Sequence, residues 1–286
     1  MTDGNISQGI LYKPENFDPH QKYPLIFDYY EKRSDELHEY IRPTWSGNRI
    51  NIPYYVSNGY LVFVPDIYYK AGHNGEGVVN AVVSAAKYLS RLPYVDSTRL
   101  GLQGHSFGGW ETNYLITHTQ NIFAAACEAS GVSDQISAYD QTDDDGGPRQ
   151  RFYETQSQGS PFGVNVTPWT RPELYSANSP VLSVGNVTTP LLMSHGDKDA
   201  AVPYAQALEM YLAMRRAGKK VWFLHYEHAG HNLSGNDAKD FTCRVKQFFD
   251  YYLKDFSPPL WMTEGLPPGK RGADNGLSLD KSGRLP

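Results

Sequence analysis

Short apolar runs recur along the chain, and between them the apolar residues shift to a helical spacing. YPLIFDYY (23–30) and YLVFVPD (60–66) are rich in β-branched and aromatic residues and bounded by Pro or Gly, as buried strands are. In GEGVVNAVVSAAKYLSRL (75–92), Val78, Val79, Val82, Val83, Ala86 and Leu89 fall on one helical stripe, with Asn80, Lys87 and Arg91 off it. That spacing predicts an amphipathic helix. RLGLQG (99–104) is the next strand, followed by the helix-like WETNYLITHT (110–119) and the strand-like IFAAACEAS (122–130). The alternation resumes late: TPLLMSH (189–195) and KVWFLHY (220–226) read as strands, YAQALEMYLAMRRAG (204–218) and DFTCRVKQFFDYYLKDF (240–256) as helices. Strand, helix and strand in succession predict an α/β protein with a mostly parallel, doubly wound sheet and helices on both faces.

Two segments interrupt the pattern. Residues 132–183 are rich in turn formers and aromatics and hold no sustained period, which predicts an excursion above the sheet that shapes a pocket. Phe152, Tyr153, Phe162, Trp169 and Tyr175 are its candidate pocket residues. Asp143–Asp145 lack the ligand spacing of a calcium loop and read as a solvated turn. From residue 257 the chain turns Pro/Gly-rich, so one domain over 1–256 is expected to end in a tail, 257–286, lying along the surface or fraying.

Composition narrows the function. The 286 residues, 40% of them apolar, suffice for one large core. With a formal charge of -5 and no basic stripe, nucleic acid is not an expected partner. No apolar run reaches the roughly 20 residues of a membrane span, and MTDGNISQGI lacks the marks of a signal peptide. The expected compartment is therefore the cytoplasm, or the exterior if the chain is a piece of a longer precursor. Cys127 and Cys243 form no CxxC pair and read as two buried free thiols. No metal and no organic cofactor is implied. The oligomeric state is open, a homodimer being compatible with the sequence.

The chemistry concentrates in GLQGHSFGGW (101–110), where Gly104-His105-Ser106-Phe107-Gly108 fits G-x-S-x-G between a predicted strand and a predicted helix. This is the setting of a nucleophile elbow: so sharp a turn strains the serine and leaves no room for side chains at Gly104 and Gly108. A serine hydroxyl is a poor nucleophile at neutral pH and needs a histidine base oriented by a carboxylate, arriving later as Asp and then His. TPLLMSH runs into GDKDAAVP, which offers Asp197 and Asp199. KVWFLHY runs into EHAGHNLSG, which offers His228 and His231. A His-x-x-His metal site at the latter pair lacks further ligands.

At these residues the chain resembles the catalytic domain of the prolyl oligopeptidase (S9) family of serine peptidases, within the α/β-hydrolase superfamily. His195-Gly196-Asp197-Lys198-Asp199-Ala200-Ala201-Val202-Pro203 matches its His-Gly-x-x-Asp-x-x-Val-Pro motif, and Gly230-His231 its histidine step. The resemblance makes Asp199 the triad carboxylate and His231 the base, leaving Asp197 as a solvated loop residue and His228 as a neighbour. It extends over GILYKPENFDPHQKYPLIF (9–27), YVDSTRLGLQGHSFGG (94–109) and WMTEGLPPGKRG (261–272), nearly the whole chain. It also implies an oxyanion hole made by the Phe107 N–H and the Tyr30 hydroxyl. Where many members follow that tyrosine with a small residue and glycine, this chain has Glu31-Lys32. Members usually carry a large β-propeller or other sheet domain before the catalytic portion, and the sequence contains none.

The expected reaction is acyl transfer to water through Ser106, acting on small carboxylic esters. A peptidase of the S9 type is the alternative, and a non-catalytic binding domain the third reading. The ester expectation rests on the missing sheet domain, because amide cleavage draws on remote substrate contacts that an activated ester does not need.

Overall fold

The computed structural model describes residues 1, 4, 6–142, 147–154, 165–266 and 275–286, so Asp143–Asp145 and Phe162 lie outside the described residues. The expected strands form with ends shifted by a few residues. β1 (Gly9–Tyr12), β2 (Tyr23–Tyr29), β3 (Leu61–Pro65), β4 (Val95–His105), β5 (Ala125–Ala129), β6 (Leu191–Gly196) and β7 (Val221–Tyr226) build one sheet. Its order is β1-β3-β2-β4-β5-β6-β7. β1 pairs antiparallel with β3, and every other neighbour is parallel.

The helices are α1 (Ile52–Ser57), α2 (Asn74–Leu89), α3 (Phe107–His118), α4 (Gln135–Tyr139), α5 (Gln150–Glu154), α6 (Pro172–Ala177), α7 (Tyr204–Arg216), α8 (Gly235–Lys254) and α9 (Leu260–Thr263). Strand alternation divides the core between the two faces of the sheet. Leu25, Phe27 and Tyr29 of β2 pack with Val82 of α2, Leu115 of α3 and Met210 of α7. Ile26 between them points the other way, to the layer of Tyr55 of α1 and Phe241, Phe248 and Phe249 of α8. The stripe read on α2 holds with one exchange: Ala81 is buried and Val79 only partly so.

β1 and α1, unexpected from the sequence, carry too few residues to show a period, and the excursion expected to be irregular contains α4, α5 and α6. Cys127 is a buried free thiol, but Cys243 is only half-buried, because it lies beside the α8 face that meets the sheet. In the tail, Trp261 and Met262 join the α8 core layer, and Pro259 bridges to Leu279.

Candidate active site

β4 ends at His105, and Ser106 follows at φ 62, ψ -119 before α3 begins. A positive φ at a residue with a Cβ costs about 1–3 kcal/mol and persists only where the surroundings enforce it. Here they do: the Ser106 N–H donates to Ala129 O on β5 at 2.8 Å, and the Ser106 carbonyl accepts the N–H groups of Gly109 and Trp110 at 2.9 and 3.1 Å. The turn leaves no room beside it. A Cβ on Gly104 would lie 2.0 Å from Gly108 O, and one on Gly108 would lie 2.7 Å from Tyr29 O. Phe107 opens α3, so its N–H belongs to the first turn, whose donors a helix leaves unbonded.

The loops after β6 and β7 bring Asp199 and His231 together. His231 Nδ1 lies 2.9 and 2.8 Å from Asp199 Oδ1 and Oδ2. Asp199 Oδ1 also accepts the N–H groups of Ala201 and Val202, both at 2.9 Å, and Oδ2 stands 3.2 Å from His195 Nε2. Burial pushes this carboxyl up, but the bonds from His195, His231 and the Val202 N–H outweigh it and hold it well below the usual carboxylate range. The His231 carbonyl accepts from Asn48 Nδ2 at 2.7 Å and from His105 Nε2 at 2.9 Å. The His105 ring lies 4.6 Å from the His231 ring, and burial, then the neighbouring histidine, push it down to about 4, so it is neutral at pH 7. Among the described residues no hydrogen bond joins Ser106 to His231. Such contacts commonly tighten only when substrate binds.

The competing candidates do different work. Asp197 Oδ1 accepts the His228 N–H at 2.7 Å, and Oδ2 lies 3.6 Å from His225 Nε2. Asp197, part-exposed in the loop after β6, thus also braces the loop after β7, while His228 sits exposed at φ 63.

On the other side of Ser106 stands Tyr30. Burial raises its hydroxyl pKa and the adjacent Ser106 hydroxyl lowers it. Its ring meets Phe107 edge-on at 6.3 Å. Tyr29 points away, fully buried, with its hydroxyl 2.8 Å from Thr112 Oγ1. The excursion is arranged otherwise than expected. Tyr153 and Tyr175 are buried with Tyr139 and Ala138 in a small core of the excursion's own, whereas Phe152 and Trp169 are exposed. A segment of this length needs apolar residues for its own cohesion, and these tyrosines supply it.

Sequence reasoning missed Asn48, His105, His195 and Glu111. The signal for the last was a carboxyl in WETNYLITHT, a stretch buried from Gly108 to Thr117.

A parallel sheet with a strained serine between strand and helix, and a His–Asp pair on loops after later strands, defines an α/β-hydrolase. Residues 48–256 match the family model Peptidase_S9, described as the prolyl oligopeptidase family. The chain belongs to that family. It is 28% identical over 242 residues to the Uncharacterized peptidase YuxL of Bacillus subtilis, covering 81% of this chain and 34% of the relative. It is 25% identical over 245 residues to Dipeptidyl-peptidase 5 of Porphyromonas gingivalis, covering 80% of this chain and 33% of the relative. A puromycin-hydrolyzing peptidase of Mycobacterium tuberculosis superposes with a TM-score of 0.69 at 21% identity, covering 90% of this chain and 38% of that one. The chain thus spans about a third of the length of these curated relatives. Among the described residues, no helix is long and apolar enough to cross a membrane.

Proposed function

We propose that this chain supplies the catalytic domain of a serine peptidase that cleaves peptide bonds through an acyl-enzyme on Ser106. The observation that carries the reading is the His231–Asp199 pair, bonded at 2.8 Å on the loops that follow β6 and β7, in a chain whose β4–α3 turn strains a serine. In the first half-reaction His231 takes the Ser106 proton as Oγ attacks the scissile carbonyl. The Phe107 N–H and the Tyr30 O–H stabilise the oxyanion. His231 then gives its proton to the leaving amine, and the C–N bond breaks. In the second, His231 takes a proton from water, whose oxygen attacks the acyl-enzyme. The acid departs and Ser106 regains its proton. Asp199 accepts from His231 Nδ1 throughout, which keeps Nε2 free to exchange protons.

Peptides displace esters as the substrate class. The curated relatives are named peptidases, one of them a dipeptidyl-peptidase. The expected acyl pocket loses Tyr153 and Tyr175 to the excursion's own core. A panel of aminoacyl, dipeptidyl and N-acyl-aminoacyl anilides, run beside p-nitrophenyl butyrate, tests the choice. Turnover of at least one anilide, abolished in Ser106→Ala, is expected; turnover of the ester alone would contradict it.

A further inference from the structure

Helix α3 is buried along most of its length, yet it carries Glu111, a carboxyl with no exposed surface. A charge in such a place costs several kcal/mol unless it is paired, so an unpaired carboxyl there is stable only as the neutral acid. Its hydrogen-bond partner among the described residues is the Tyr69 hydroxyl, which donates to Oε1, while Oε2 is buried with no partner. The titratable groups facing it are Tyr69, Tyr29, Tyr30, Glu31 and Arg49. Burial pushes Glu111 up to about 8; Glu31 adds to this, and the Tyr69 bond and the Arg49 charge oppose it.

Tyr69 connects this carboxyl to the oxyanion side of the site. Its ring meets Phe107 edge-on at 5.4 Å, and Phe107 meets Tyr30 edge-on at 6.3 Å. The Glu31 backbone sits against the Tyr69 hydroxyl, and the Glu31 carbonyl accepts the Ile67 N–H at 3.0 Å. The turn just after Tyr30 needs such support, because Glu31 is held at φ 38.

We propose that Glu111, as a neutral acid, is the positioning residue of the oxyanion hole: through Tyr69 it fixes Phe107 and the Tyr30–Glu31 turn, and its ionisation sets a negative charge behind the oxyanion. A fixed charge of that sign opposes the one that develops on the substrate, and burial strengthens the opposition. The inference rests on the reading of Ser106 as nucleophile.

The test is the rate at which a fluorophosphonate labels Ser106 in the whole chain, followed by mass spectrometry from about pH 6 to pH 10, with thermal melting as the check of folding. In the wild type the rate is expected to fall at least about 10-fold as pH rises through the Glu111 titration. Glu111→Gln should label a few-fold more slowly near pH 7 and show no alkaline fall, since the amide does not ionise. Tyr69→Phe removes a bond that favours the charged carboxyl, so its fall should move to higher pH. It carries the test alone if Glu111→Gln does not fold. An alkaline fall that persists in Glu111→Gln, or does not move in Tyr69→Phe, overturns the proposal. So does a wild-type rate that never falls while Ser106 is labelled. Absence of label on Ser106 at every pH overturns the nucleophile itself, and this inference with it.

Discussion

Two buried carboxyls stand near the Ser106 turn, Asp199 by way of His231 and Glu111 on α3, and their surroundings leave the first ionised and the second neutral. Asp199, on the β6 side, accepts from His231 Nδ1 and the N–H groups of Ala201 and Val202, with His195 Nε2 3.2 Å away. These donors more than offset its desolvation, so it stays ionised. Glu111, on the α3 side, has only the Tyr69 hydroxyl as a bonded donor among the described residues, and burial prevails. The donors available, set against the desolvation of each site, decide the charge. The difference suits the proposed chemistry: a negative charge behind His231 would stabilise the imidazolium formed there, whereas one behind Tyr30 would repel the oxyanion.

The largest expected effects come from breaking the charged side. Asp199→Asn presents an amide to His231 and favours the wrong tautomer, so kcat/KM on the peptide substrate should fall by about 10³- to 10⁴-fold. His231→Ala should cost at least about 10³-fold and the exposed His228→Ala far less. The reverse ranking of the two histidines would show that the Asp199 pair is structural.

Smaller losses are expected on the neutral side. Tyr30→Phe should lower kcat by roughly 10- to 10³-fold with less change in KM, because in the proposed mechanism the hydroxyl bonds an oxygen that is charged only near the transition state. Tyr29→Phe should instead cost about 1 kcal/mol of stability, through its bond to Thr112. Comparable kcat losses from both tyrosines would leave the oxyanion side unassigned.

A change of stability alone sharpens the rule itself. Glu128 on β5 is fully buried, accepts the Gly131 N–H at 2.9 Å on Oε2, has no partner at Oε1, and is pushed by burial up to about 8. Its folded-state pKa is raised above the unfolded value. The stability it contributes is therefore present at low pH and is lost as pH rises from the ordinary carboxylate range through about 8. Glu128→Gln cannot ionise and keeps an acceptor for Gly131. Thermal melts should show it gaining roughly 1–2 kcal/mol over the wild type near pH 8, after the cost of its extra buried N–H group, and losing about 1 kcal/mol or more near pH 4, where that cost stands alone. An equal effect at both pH values would mean that Glu128 is charged in the fold.

This charge pattern was the least legible part of the chain. Short apolar runs and helical stripes exposed β2 to β7 and the helices that cover them, because in a two-faced sheet apolar residues must fill both layers. β1, at four residues, and α1, at six, fall below any period. The elbow showed itself because steric clearance demands glycine at 104 and 108. The choice of Asp199 over Asp197 came from a resemblance; in the fold the two are told apart by their hydrogen bonds to His231 and to the His228 N–H. His105 and Glu111 escaped notice because they act through residues distant in sequence, His231 and Tyr69, and no local pattern announces which ring or backbone each will meet. The tyrosines of the excursion misled for a related reason: aromatic composition is the same whether the rings line a pocket or fill a core.

The proposed chemistry requires Ser106 to be activated by the His231–Asp199 pair. The most direct measurement is peptide mapping by mass spectrometry of the protein after reaction with an organophosphonate. A single adduct on Ser106 is expected, absent from Ser106→Ala and formed at least about 10²-fold more slowly in His231→Ala. An adduct on another residue, or one on Ser106 that forms as fast without His231, would contradict it.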